Sequence, residues 1–138
     1  MEADDQAFQP NAPASTEALA SLRTGLAKSL PESYFAFLTR ANGGEGFIRD
    51  RYVRLWKAEE VAQMNRAYKT AEFFPNLFFI GSDGGGEAYA FDLSRTDATV
   101  FEVPFIGLPT DARAIASSFR FISGDLRLGS MSENVCVC

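Results

Sequence analysis

Histidine is absent from all 138 residues. Its absence removes the Ser-His-Asp and Cys-His nucleophile systems, together with the usual general base and metal ligand near neutral pH. Cysteine is confined to Cys136 and Cys138 at the extreme end. Their spacing is neither a Cys-x-x-Cys redox motif nor a zinc pair. Alternate positions on an extended tail point apart, so a bridge between them would be poorly shaped, and free thiols on a frayed tail are expected. Basic residues are few, 13 Lys and Arg against 18 Asp and Glu, for a net charge of -5. A phosphate backbone wants clustered cations, so direct nucleic-acid binding is not expected. No run approaches the roughly 18 apolar residues of a membrane span. The start, Met1-Glu2-Ala3-Asp4-Asp5, is acidic and leads into no apolar stretch. It does not read as a secretory signal, and the expected location is cytoplasmic.

What the chain does have is apolar mass. It is 46% hydrophobic and holds 13 phenylalanines, enough to fill one sizeable core at this length. Neither a metal nor a disulfide is needed to hold such a domain together. Residues 1–14 are polar, carry Pro10 and Pro13, and read as a flexible leader. Ser15 or Thr16 can cap a first helix, in which Leu19, Leu22 and Leu26 make a stripe weakened by Gly25. Pro31 suits the first position of a second helix, with Glu32 at the positive end of its dipole. Asn42-Gly43-Gly44 ends that helix.

Phe47-Ile48 and Arg51–Trp56 read as extended, and Lys57-Ala58-Glu59-Glu60 starts a third helix with Val61, Met64 and Tyr68 on one face. Residues 69–76 read as a connection. Leu77–Ile80 is a strand, Gly81–Gly86 a turn, and Glu87–Asp92 the returning strand. Thr99–Val103 follows as another strand, closed by Pro104. A last helix is predicted from Thr110, carried by Ala112, Ile115, Phe119 and Ile122 and stopped by Gly124. Strands clustered in the middle, with helices at both ends, predict a single α+β domain. Its sheet is central, mostly antiparallel and curved, packed by terminal helices.

The acidic glycine turn invites three chemical readings. A phosphate cradle would lead into a helix and lack flanking acids, whereas Gly84-Gly85-Gly86 sits between Asp83 and Glu87 and leads into a strand. The regular oxygen spacing of a calcium loop is missing. A carboxylate pair drawn from Asp83, Glu87 and Asp92 is weakened because Glu87 and Asp92, an odd number apart, fall on opposite strand faces. No catalytic residue, cofactor or metal is therefore assigned. Gly81, Gly84, Gly85 and Gly86 are structural turn residues, and Ser82 or Asp83 is expected to bond to the turn backbone. Trp56 suits core packing better than an interface anchor, and Glu59-Glu60 suits the helix dipole. One member of each pair, Phe73-Phe74 and Phe78-Phe79, should face away from the core. Trp56, Glu59, Glu60, Asp83 and Glu87 remain the candidate protein-binding or motif positions.

Several segments together resemble a known family. They are Leu30-Pro31-Glu32-Ser33-Tyr34-Phe35-Ala36-Phe37-Leu38, Asn42-Gly43-Gly44-Glu45-Gly46, Leu55-Trp56-Lys57-Ala58-Glu59-Glu60, Asn65, Phe78–Asp92 and Val103-Pro104-Phe105. Their order and spacing resemble the SUKH superfamily, in the branch named after the fungal cell-wall-synthesis regulators Smi and Knr. The resembling domain is placed at residues 15–128, with residues 129–138 as a tail. The resemblance implies an α+β fold and a non-catalytic, protein-binding role. Bacterial members are immunity proteins that neutralise toxin domains, many of them nucleases, by stoichiometric binding. Two other roles stay open: a regulatory or scaffolding domain with a different protein partner, and a carboxylate-based enzyme or small-ligand binder.

Overall fold

The computed structural model describes residues 7–26, 30–48, 51–117 and 119. Seven strands form one sheet in chain order: β1 (Gln9–Pro10), β2 (Gly44–Ile48), β3 (Arg51–Leu55), β4 (Leu77–Ser82), β5 (Glu87–Asp92), β6 (Val100–Pro104) and β7 (Arg113–Ala116). Every neighbouring pair is antiparallel. Among the described residues the α-helices with both ends placed are α1 (Thr16–Thr24), α2 (Glu32–Arg40), α3 (Ala58–Ala67) and the single turn α4 (Thr70–Phe73). The chain is thus an α+β domain with a curled antiparallel sheet.

The curl is visible in one ion pair. β3 and β6 are separated by two strands, which in a flat sheet means about 14 Å. Yet Arg51 Nη1 lies 3.0 Å from Glu102 Oε2, and the Tyr89 hydroxyl donates to the Tyr52 carbonyl at 2.9 Å. β3 therefore folds over the sheet it belongs to. Its ladder with β4 is short, limited to Arg54↔Ser82 and Leu55↔Gly81, with one more bond from Trp56 N to Ile80 O. Beyond that point β3 departs, and α3 takes its place beside β4.

Asn65 of α3 makes that substitution possible. Its side-chain amide donates to Phe79 O at 2.9 Å and accepts from Phe79 N at 2.8 Å. The pair mimics the ladder that β3 no longer supplies, so the buried backbone of β4 stays satisfied. Thr70 Oγ1 donates to Asn65 Oδ1, which ties α4 to the same point.

The core has aromatic rings on both faces of the sheet. Phe91 lies opposite Phe78 in the ladder and packs edge-on against Tyr34 of α2 at 5.4 Å. Phe119 closes that cluster against Tyr34 and Phe37. Phe79 points the other way and packs against Phe74, Tyr68 and Phe105. Phe78 and Phe79 are therefore both buried, against the expectation that one would face away. In the other pair the expectation matches: Phe74 is 2% exposed and Phe73 53%.

Other expectations are corrected. Over residues 110–117 the predicted helix does not form: a short 3-10 turn, Pro109–Asp111, precedes β7, which pairs Arg113 with Glu102 and Ala116 with Val100. Phe119 is helical, and Ile122 and Gly124 lie outside the described residues. Pairing there covers the otherwise open edge of β6 and satisfies its unpaired backbone groups. Within the stretch read as a flexible leader, Gln9 and Pro10 pair with Glu45 and Gly44. Gly25 stands just past α1 as its C-cap. Pro31 precedes α2 as its N-cap, so Glu32 is the first helical residue. Part of the 69–76 connection is helical. Cys136, Cys138 and the tail lie outside the described residues.

Candidate functional site

The connection between β4 and β5 is held by its own side chains. Ser82 Oγ accepts from Gly84 N at 3.1 Å. Asp83 Oδ1 accepts from Gly85 N at 2.8 Å and from Glu87 N at 3.2 Å, and Asp83 N donates to Glu87 O. Both candidate bonds to the turn backbone thus form. The Asp83 carboxylate organises the loop, and Glu87 opens β5 half-buried. Gly84 has φ +83° and packs close to the Tyr52 ring.

Gly81 is not a turn residue. It sits within β4, where a Cβ would come 2.2 Å from the Arg54 carbonyl oxygen. Its role is the close approach of β3 and β4, beside the bulge between Phe79 and Gly81. Gly85 and Gly86 have neither positive φ nor a crowding neighbour. No group of three or more acidic, His or Cys residues among the described residues is placed to hold a metal.

Trp56, Glu59 and Glu60 meet at the entry to α3. Glu60 Oε1 accepts from the Lys57 N–H at 3.1 Å, satisfying a donor at the helix start. Glu59 Oε1 accepts from Asn42 Nδ2 at 2.8 Å, and that bond holds its carboxyl below the usual range. Asn42 Oδ1 in turn accepts from Ala58 N at 2.7 Å. Gly43, at φ +78°, passes so close to the ends of Leu55 and Trp56 that a Cβ would lie 2.4 Å from Leu55 O. Trp56 is buried in the core cluster. The Asn42-Gly43 and Trp56–Glu60 segments thus form one lock between α2, β3 and α3. Asp83 and Glu87 are joined to each other, and no described hydrogen bond or ion pair links them to Glu59 or Glu60.

The exposed face of β2 and β3 carries a second polar group. Glu45 accepts from the Tyr52 hydroxyl and from Arg54 Nη2, and both hold its carboxyl down. Phe47 packs edge-on against Tyr52 at 5.2 Å. On the concave side Glu102 is buried between Arg51 and Arg113, so its charge is paired on both oxygens.

Apolar display occurs in the loop after β6. Ile106 is 98% exposed and Leu108 63%. Phe105 stacks on Tyr68 at 4.5 Å beneath them. The loop is pinned to the glycine turn by Phe105 N donating to Gly86 O at 2.9 Å. The sequence reading places Phe105 only within a family-resembling segment and gives Ile106 and Leu108 no role. The available signal was three large apolar residues, Phe105, Ile106 and Leu108, bracketed by Pro104 and Pro109. Prolines there disfavour both strand and helix, so periodicity gives these side chains no core to fill.

No helix among the described residues is long and apolar enough to cross a membrane. No curated protein matches the sequence at a significant level. The SMI1 / KNR4 family (SUKH-1) model matches residues 13–121, a span that takes in the Asn42–Glu59 lock, the Asn65 clamp on β4 and the glycine turn. The chain belongs to the SMI1 / KNR4 family (SUKH-1).

Proposed function

We propose that this chain is a non-catalytic, protein-binding domain that neutralises a cognate bacterial toxin in the cytoplasm, one chain to one toxin domain. It acts by covering the toxin's active or substrate-binding surface. The observation that carries this reading is family membership across residues 13–121. The site residues agree with it. Asp83, Glu59 and Glu60 each accept hydrogen bonds from the chain's own backbone or side chains. The net charge of -5 suits a basic partner such as a nuclease, since opposite fields speed encounter.

The test is co-expression with the toxin domain encoded beside this chain in its genome. The expected result is restored growth, with the two proteins co-purifying at equal stoichiometry. Toxicity unchanged by the chain, with no complex recovered, would reject the reading.

A further inference from the structure

The lock between α2, β3 and α3 requires two residue types that are chemically labile side by side. Position 42 must both donate and accept: Asn42 Nδ2 donates to Glu59 Oε1 at 2.8 Å, and Asn42 Oδ1 accepts from Ala58 N at 2.7 Å. Position 43 must lack a side chain: Gly43 has φ +78°, and a Cβ there would clash with the carbonyl oxygens of Leu55 and Trp56. Asparagine is among the thermolabile residues. Its side-chain amide carbon can be attacked by the next backbone nitrogen to close a cyclic imide, and a glycine leaves that nitrogen unshielded by a Cβ. Asn42-Gly43 is the one Asn-Gly pair in the 138 residues.

The fold holds both reacting groups away from that reaction. Gly43 N donates its proton to Ala41 O at 2.8 Å, and the nitrogen must lose that proton to attack. The Asn42 side chain is anchored to the start of α3 through both polar atoms. Its backbone is held as well: Asn42 N donates to Ala12 O at 2.8 Å, and Asn42 O accepts from Asn11 Nδ2 at 2.9 Å. The residue is buried. The Ala58 N–H polarises the side-chain carbonyl, so the protection comes from geometry and not from a weak electrophile. An attack needs nitrogen and carbon aligned at close approach, and the lock must open for Asn42 and Gly43 to reach it.

We propose that Asn42-Gly43 is a latent modification site, silent in the folded chain and converted to aspartate or isoaspartate once the lock opens. In the open segment the Gly43 nitrogen gives up its proton and attacks Asn42 Cγ. The N–Cγ bond forms, the Cγ–Nδ2 bond breaks, and ammonia leaves with that proton. Solvent water then opens the cyclic imide, and nothing is oxidised or reduced. Cleavage at N–Cγ gives aspartate, and cleavage at the Asn42 backbone carbonyl gives isoaspartate. Neither product re-forms the lock. Aspartate has no N–H for Glu59 and sets a second carboxylate against it. Isoaspartate adds a backbone carbon where Gly43 already passes tightly by Leu55 and Trp56. A transient opening thereby becomes a permanent loss of the folded state. The site acts within this chain alone and is independent of the immunity reading.

The test is peptide mass mapping of the full chain after incubation at mildly alkaline pH, in native buffer and in guanidinium chloride. In denaturant Asn42 should convert at least about tenfold faster than in native buffer, because the native chain must first break several hydrogen bonds together. After return to native buffer, the refolded fraction separated by gel filtration should be depleted of converted chains. Glu59→Ala frees Asn42 Nδ2 and should speed conversion in native buffer, whereas Glu59→Gln keeps an acceptor and should convert like the wild type. Thermal unfolding checks that both variants fold, and if Glu59→Ala does not, the wild-type comparison decides. Equal rates in the two conditions, or conversion elsewhere with Asn42 intact, overturn the site. A folded Glu59→Ala that converts at the wild-type rate overturns the protection by the lock. Converted chains that refold with the wild-type unfolding temperature overturn the permanent loss.

Discussion

Replacing Asn65 tests the joint between α3 and the sheet. In Asn65→Ala, Phe79 N and Phe79 O lose their side-chain partner together. Phe79 is fully buried, so water cannot replace the amide. Each orphaned buried group costs about 1–3 kcal/mol, so the pair costs about 2–6 kcal/mol. That is a large share of the roughly 5–15 kcal/mol by which a domain is stable. In urea the midpoint should fall with an unchanged slope, and the melting temperature should drop by about 10 °C or more.

Asn65→Asp sharpens the test. One carboxylate oxygen still accepts from Phe79 N and Thr70 Oγ1, but the other faces the carbonyls of Val61 and Phe79. Burial and those carbonyls push the folded-state pKa of the introduced carboxyl above its unfolded value. The folded state then binds more protons between the two values, so the penalty is full above the folded pKa and fades as pH falls through that window. Asn65→Asp should therefore gain stability relative to wild type on acidification from pH 7. A loss below about 0.5 kcal/mol in Asn65→Ala, within the range of neutral surface changes, would refute the reasoning. So would an Asn65→Asp variant whose pH dependence matches the wild type.

Three further predictions concern the glycines, the Arg95–Asp97 pair and Tyr34. Among the glycines, Gly81→Ala should prevent stable folding, because its Cβ meets Arg54 O. Gly84→Ala should cost about 1–2 kcal/mol through positive φ. Gly85→Ala and Gly86→Ala should be neutral or stabilise by up to about 1 kcal/mol, read by urea unfolding. Asp97 is bound by Arg95, and that hydrogen bond lowers its carboxyl to about 2. Its contribution to stability is present above the unfolded carboxylate pKa and is lost as pH falls toward 2. Carboxyl NMR titration should show this, with Arg95→Ala moving the midpoint up toward the ordinary value. The Tyr34 hydroxyl is buried without a hydrogen-bond partner among the described residues, and burial raises its pKa. Tyr34→Phe should therefore leave stability unchanged or raise it by about 1 kcal/mol, measured by thermal unfolding.

Much of the architecture was legible where side-chain pattern and backbone chemistry agree. The apolar run Leu77–Ile80, the glycines and the alternation after Glu87 point to one hairpin, and one hairpin forms. Pattern failed where tertiary partners decide. Ala112, Ile115 and Phe119 have helical spacing, but β6 has a free edge and Arg113–Ala116 pairs with it. Phe78 and Phe79 are both covered because β4 is packed on both faces. Gly81 resembled a turn glycine, yet its constraint comes from Arg54, 27 positions earlier and invisible to local reading.

The candidate site was legible to the same degree and for the same reason. Glu60 at the start of α3 and Asp83 in its turn act on neighbours within four residues, so local chemistry announces them. Asn42 binding Glu59 spans the gap between two motifs, and only the fold joins them. The Phe105–Leu108 tip carries no motif and became visible through exposure alone.

The most direct measurement of the central claim is the neighbour-encoded toxin's activity as this chain is titrated into it. A stoichiometric binder predicts activity that falls in proportion to added chain and reaches its floor at one equivalent, with no dependence on preincubation once binding is complete. Activity that keeps declining with time at a small fraction of an equivalent would mean the chain turns over as an enzyme. Activity untouched at excess would mean that this toxin is not its partner.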